Sequence, residues 1–530
     1  MRYLNTGLLL AAISAGWTFP WPAGAQQKAP LTILRQIDAS SYDPISTTAT
    51  ATAEIVFMLA DTLVTIDFDM KTIKPGLADS WTISPDGLTY TFKLHKGVKF
   101  CDGRPMTAED VVYSLKRWTN PANKSPTATR AGQVRDVRAP DDYTVVYELK
   151  QPNSDLLYQL TLYFASIVDK KSVEKLGPNF GVQGFNGTGP YCWVSWTPRD
   201  QMVMKKNPYY DWGSPIYKDP RPQIDEIVWK IIPEDNTLMA ALQSRRADLS
   251  YNLPYLAIPV MQKFPGMTVQ QQEHYIYDVY MGFKVDKPVV NDRTIRQAVN
   301  MAVNKEALVK AVFHGVGSVL PGLLNANAPD YDAEAAKKMP KYDPAGAAAL
   351  LDQAGWLKGA DGVRAKDGLR ASFTVYGIRM PFFEMIAQAI QADLRRIGIE
   401  MKVQLWDATI VWSKLSTQEF DALLMSYPYV TATEALNSYF ASRQIPTPNR
   451  MNWKDPKTDE LLAAATTATR AEDRKRAIGE VQSLLTEANV WVPLASEPLW
   501  LVSGDRVEDA RVHGLWGAGL YKGLDMKLKR

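Results

Sequence analysis

Catalysis needs a proton carrier, a nucleophile or a metal held at a shared point, so histidines, cysteines and paired acids are weighed first. The chain has four histidines, His95, His274, His314 and His513, and two cysteines, Cys101 and Cys192. No His-x-x-x-His or Cys-x-x-Cys pair occurs, so no two of them fall at the spacing that puts two ligands on one metal. No Gly-x-Ser-x-Gly turn exposes a serine nucleophile. The glycine-rich stretch 184–189 lacks the Gly-Lys-Ser/Thr ending of a phosphate-binding loop. Neighbouring acids such as Asp141-Asp142 and Asp225-Glu226 are ordinary solvated surface, and acid–base work depends on separation across a cleft. The expectation is a protein with no catalytic residue, no metal and no cofactor, one that binds without transforming.

Composition narrows the ligand. Lysines and arginines total 60 against 57 acids, for a formal charge of +3. The two signs are interspersed without basic blocks, which argues against nucleic acid as a partner and for a small-molecule ligand. At 530 residues the chain exceeds the size at which one core stops growing, so two or three domains are expected. Arg2, the apolar stretch 8–15 and Ala23-Gly24-Ala25 before Gln26 read as a secretory signal peptide over 1–25. No later stretch approaches the roughly 20 apolar residues of a membrane-spanning helix. A lipoprotein would need a cysteine at the cleavage site, and both cysteines lie far downstream, so a periplasmic protein is expected. That compartment permits a Cys101–Cys192 disulfide, but sequence separation does not show whether the pair meets. The alternative is two buried small apolar residues.

Short runs of period two alternate with longer runs of period 3.6, which predicts a mixed α/β fold. Tyr90, Phe92 and Leu94 alternate with polar residues as a half-buried strand. Thr107 is placed to cap a helix with Glu109 and Asp110 in its first turn and Val111, Leu115 and Trp118 on one face. Ile386, Ile390, Leu394 and Ile397 mark a second helix ending at Gly398, after which Ile399, Met401, Val403 and Leu405 alternate as a strand. A helical run over 294–313 ends at Gly315, with Asn304 able to restart it. Stretches 184–190, 212–222 and 254–266 read as irregular connections.

The ordered motifs carry a resemblance. Pro75-Gly76-Leu77-Ala78-Asp79-Ser80-Trp81 is followed by Ser84-Pro85-Asp86-Gly87-Leu88-Thr89-Tyr90-Thr91-Phe92. Gly97-Val98-Lys99-Phe100, Asp102-Gly103-Arg104-Pro105 and Thr107-Ala108-Glu109-Asp110-Val111-Val112 come next. Gly187-Thr188-Gly189-Pro190-Tyr191, then Ile295-Arg296-Gln297-Ala298-Val299-Asn300-Met301-Ala302-Val303-Asn304, then Tyr342-Asp343-Pro344 with Ala354-Gly355-Trp356, complete the set. Together they resemble the family 5 extracellular solute-binding proteins of ABC importers, the peptide- and nickel-binding group. Each piece also has a plain structural role as a turn, a helix start or a connection. Cys101 stands where the family often has histidine, and Asn291-Asp292-Arg293-Thr294 replaces a more usual acidic pair and proline.

The resemblance implies a two-lobed periplasmic binding protein fold of α/β class, with an extra domain inserted in the first lobe. Residues 26–59, 185–274 and 490–530 would form the discontinuous first lobe, 60–184 the insertion and 275–489 the second lobe. The chain would pass between lobes near Tyr275 and Val490. The implied partners are a small-molecule ligand and an ABC permease of the inner membrane, with the receptor a monomer. Arg379 matches the position of an arginine that holds a peptide carboxylate in dipeptide-binding members, a task suited to the planar guanidinium. Trp406, Trp412, Tyr427 and Tyr429 flank the corresponding pocket-forming elements, and Trp406 is out of phase with its strand's apolar side chains. Tyr42 resembles part of the N-terminal segment bordering the cleft. An aspartate that pairs with a peptide's ammonium is missing from Pro428-Tyr429-Val430-Thr431-Ala432-Thr433-Glu434, where Glu434 is the available acid. A carboxylated, peptide-like solute is therefore expected, with an opine-like or N-blocked one admitted. The competing classes are a periplasmic hydrolase and a ligand-presenting sensor or chaperone.

Overall fold

The computed structural model describes residues 29–529 apart from 252 and 273, and leaves out the side chains of 408 and 409. The expected signal peptide lies outside the described residues.

Leu31–Arg35 is the central strand of a seven-stranded sheet, where it pairs in parallel with Glu226–Ile231 and Leu249–Ser250. Antiparallel strands Gln201–Lys206 and Tyr191–Thr197 extend one edge, and Leu499–Gly504 and Met267–Gln272 the other. A six-stranded sheet is built from Tyr277–Phe283, Ser318–Val319, Ser372–Ile378, Glu400–Trp406, Ala422–Pro428 and Trp491–Ser496. Its parallel pair Ser372–Ile378 and Glu400–Trp406 is joined by helix Pro381–Arg396, the crossover a parallel pair needs. Ile386, Ile390 and Leu394 of that helix are wholly buried in one core with Phe373 and Val375. Side chains of this size are each worth about 1.5–3 kcal/mol when fully buried. Gly398 at φ +82° ends the run in the left-handed conformation that glycine adopts freely.

A third, antiparallel sheet of four strands spans 78–149. Against it packs helix Ala108–Thr119, buried through Val111, Leu115 and Trp118. The Asp110 carboxylate accepts the Thr107 N–H at 2.9 Å, as its first-turn position predicts. The long helical run expected over 294–313 is two helices, Arg293–Ala302 and Lys305–Val312. Asn304 caps the second by accepting the Ala307 N–H at 3.0 Å.

Two expectations are corrected. The stretch 254–266 contains the helix Ile258–Gln262, because Ile258 and Met261 bury themselves under the seven-stranded sheet's edge with Leu238 and Val502. The last lobe-to-lobe passage was placed near Val490, where a long helix ends at Asn489. Trp491–Ser496 instead pairs with both Tyr277–Phe283 and Ser318–Val319, so it belongs to the six-stranded sheet and the passage comes at 497–498. The other passage lies between Gln272 and Tyr277. The two run side by side, with Gln272 paired to Leu499 and Asp278 to Ser496. Cys101 and Cys192 form a disulfide with a Cα separation of 5.7 Å. It ties the loop before helix Ala108–Thr119 to an edge strand of the seven-stranded sheet.

Candidate functional site

A cavity of about 460 Å³ lies where the two large sheets meet. Helix Thr50–Leu59 brings Thr50 and Glu54 to one wall, and the start of helix Pro381–Arg396 brings Met380, Phe382 and Met385 to the opposite one. Tyr275 and Glu497, from the two adjacent passages, and Tyr277, at the start of its strand, also line it. The Tyr255 hydroxyl donates to Glu497 Oε1 at 2.6 Å, and burial pushes the Glu497 carboxyl up to about 7.

Arg35 supports the first wall. At the end of a central strand and 1 % exposed, its guanidinium donates to the Ala51 carbonyl, Glu54, Asp38 and the Tyr42 hydroxyl. Burial raises the Glu54 carboxyl, and the neighbouring Arg35 offsets part of that rise. Tyr42 is wholly buried in this network, its ring edge-on to Trp193 and Trp196, so it braces the wall and does not line the cavity.

The other six expected site residues fall into three places. Arg379 is exposed beside the cavity-lining Met380, and its Nη2 donates to the Leu405 carbonyl at 3.0 Å. It makes no ion pair among the described residues. Trp406 projects from the face of its strand opposite Met401, as its phase predicts, and packs edge-on to Tyr376 with the Lys414 ammonium 4.6 Å from its ring centroid. Trp412 is half exposed, with the Arg450 guanidinium 5.3 Å from its ring centroid.

The second place is a bridge between the segment 60–184 and the six-stranded sheet's helices. Glu434 is 8 % exposed and forms an ion pair with Arg130. The same carboxylate accepts from the Val430 N–H at 2.9 Å, the Tyr427 hydroxyl at 3.3 Å and Gln159 at 3.4 Å. Glu434 and Tyr427 are therefore brought together, but around a protein cation. In the third place, Tyr429 donates to Asp278 at 2.5 Å and accepts the Asn325 N–H at 2.8 Å. Burial raises the Asp278 carboxyl to about 7, with Tyr429 and Asn325 limiting the rise. None of the seven expected residues lines this cavity between the sheets.

Glu54, Tyr255, Tyr275, Tyr277, Glu497 and Arg130 escaped the sequence reading. The closely spaced tyrosines at 275 and 277, near an expected passage between lobes, were the available signal. Among the described residues no group of three or more His, Cys, Asp or Glu side chains is placed to hold a metal, and no helix is long and apolar enough to cross a membrane.

Residues 72–446 match the family described as Bacterial extracellular solute-binding proteins, family 5 Middle. The chain belongs to this family. It is a solute-binding protein. The glutathione-binding protein GsiB of Salmonella choleraesuis (strain SC-B67) is 29 % identical over 472 residues, 87 % of each chain. NikA from Brucella suis, solved in complex with Fe(III)-EDTA, superposes with a TM-score of 0.82 at 22 % identity, covering 94 % of this chain and 99 % of that one. NikZ from Campylobacter jejuni, solved with Ni(L-His), gives a TM-score of 0.78 at 24 % identity with the same coverage. These likenesses bear out the expected two-lobed α/β fold.

Proposed function

We propose that this family 5 protein is the periplasmic receptor of an ABC importer and that it captures a carboxylated, peptide-like solute between its two lobes without altering it. The observation that carries this reading is the cavity at the junction of two sheets that the chain crosses twice. Lobe-closing receptors bury a ligand between apolar and aromatic walls with a few convergent polar groups, and Met380, Phe382, Tyr275 and Tyr277 with Glu54 and Glu497 supply that mixture. The name of GsiB points the same way, since glutathione is a carboxylated tripeptide.

In this reading residues 1–25 are removed on export, the mature chain is monomeric, and the inner-membrane permease receives the closed form. The first lobe comprises 26–59, 185–274 and the chain after 496. The insertion is 60–184, and the second lobe runs from 275 to 496. The passages through 274–276 and 497–498 serve as the hinge, because a few residues at element ends can absorb a closing rotation.

Arg379 is the carboxylate partner in this proposal: it is exposed, adjoins the cavity-lining Met380, and pairs with no carboxylate among the described residues. Hydrogen bonds to a charged group are worth about 1.5–3 kcal/mol, so Arg379→Ala should weaken binding of a carboxylated solute at least about tenfold. Titration calorimetry checks this with glutathione as the first probe and with any solute recovered from the purified protein. Unchanged affinity removes Arg379 from the site.

A further inference from the structure

The walls of the cavity between the two sheets carry an uneven charge. Glu54, Asp235 and Glu497 line it, and no lysine or arginine does among the described residues. Glu54 is answered from behind by Arg35 at 3.3 Å. Glu497 has no such answer. Among the described residues its side chain has one hydrogen-bond partner, the Tyr255 hydroxyl, and enters no ion pair. A carboxylate drawn out of water with one neutral donor is the group that an incoming cation relieves most.

We propose that this cavity is a cation subsite, which seats an ammonium or guanidinium group of the captured solute against Glu497 within a wall of tyrosines. The proposal rests on reading the cleft as the ligand site and adds that the solute carries a positive group as well as its carboxylate. The ring of Tyr275 is stacked on Tyr277 at 5.8 Å, and Tyr255 and Tyr251 stand on the same lining. Burial holds these phenols above their ordinary range, so they stay neutral and offer ring faces and hydroxyl dipoles. A cation over such a face is attracted by the negative side of the ring's quadrupole. Met380, Phe382 and Leu515 supply an apolar surround for the hydrocarbon next to the charge. Among the described residues an anion would meet three acids and no base other than His314. Glu497 also sits between the two sheets, with its N–H on the Tyr277 carbonyl at 2.8 Å, so the contact falls on the segment that must flex when the lobes move.

The Glu497 carboxyl titrates near 7 because it is buried, and the groups that face it are Tyr255, Tyr275 and Tyr277, with Glu54, Asp235 and His314 farther along the walls. It is charged above that pH and neutral below it. Affinity for a cation should therefore rise roughly tenfold from about pH 6 to about pH 8, over which an alkylammonium keeps its charge.

The test uses the full chain and three fragments of matched shape: phenethylammonium, 2-phenylethanol and 3-phenylpropionate, followed by ligand-observed NMR and calorimetry. Phenethylammonium should bind best and 3-phenylpropionate worst. Glu497→Gln should weaken phenethylammonium about tenfold, leave 2-phenylethanol unchanged and abolish the pH dependence. Equal binding of all three, preference for the anion, no binding of the ammonium, or an unchanged affinity in Glu497→Gln overturns the subsite. If that variant fails to fold, the order of the fragments and the wild-type pH profile still decide. A peptide or opine panel separates the two readings. Tight binding there that ignores Glu497→Gln leaves the receptor standing without its cation subsite, and fragment discrimination without any panel binding does the reverse.

Discussion

Replacing Glu434 with alanine should lower the stability of the lobe-to-lobe arrangement by about 3 kcal/mol, the scale set by stranding one partner of a buried ion pair. Arg130 belongs to the segment between strands of the seven-stranded sheet, and Glu434 to helix Ala432–Phe440, which follows a strand of the six-stranded sheet. The Arg130 side chain is 16 % exposed and also lies 5.1 Å from the Trp516 ring and 5.8 Å from that of Phe164. Without Glu434 it keeps Gln159 and the aromatic faces but loses its counter-charge. Two outcomes relieve it: unfolding, or parting of the lobes so that water reaches the guanidinium. The expected result is a lower denaturation midpoint together with a larger radius of gyration in small-angle scattering of the ligand-free protein. Arg130→Met with Glu434→Leu should recover much of the loss, because an apolar pair of similar volume carries no desolvation cost. If Glu434→Ala changes neither midpoint nor dimensions, the pair does not hold the lobes together.

Reduction of Cys101–Cys192 should have an effect at least as large. The bond closes a loop with a sequence separation of 91, and in the chain-entropy treatment such a loop restrains the unfolded chain by about 4.5 kcal/mol at room temperature. Its location adds to this, since it links the loop before a helix of the inserted segment to the edge strand Tyr191–Thr197. A Cys101→Ser, Cys192→Ser double variant should therefore unfold at clearly lower denaturant concentration than the oxidised wild type, and reductant should shift the wild type but not the variant. Coincident curves with and without reductant would show that the bond contributes nothing.

How much of this was legible depends on how local the cause is. Helix Ala108–Thr119 was readable because its cap, its first-turn acids and its buried face all lie within one short stretch. The break at Asn304 was readable for the same reason, from a side chain that bonds three residues ahead. The facing of Trp406 followed from strand period alone, whereas its Lys414 neighbour came from the next helix and did not. The seven expected site residues were carried by position within a resemblance, and the cavity is lined by others. Glu497 acquires its environment from Tyr255, some 240 residues away in sequence, and Arg130 meets Glu434 across 304. Contacts of that span are set by how the two sheets pack, which no local pattern encodes. The disulfide belongs to the same class: the compartment permitted it, and only the fold brings the two Cα atoms to 5.7 Å.

Capture of an intact solute is tested most directly by native mass spectrometry of gently purified protein, followed by release, identification and calorimetric return of whatever is bound. The expected result is a one-to-one adduct of a small carboxylated molecule that rebinds saturably and leaves with its mass unchanged. A molecule that comes back chemically altered, or a protein that binds nothing saturably across peptide, opine and sugar panels, would contradict capture as the role of this chain.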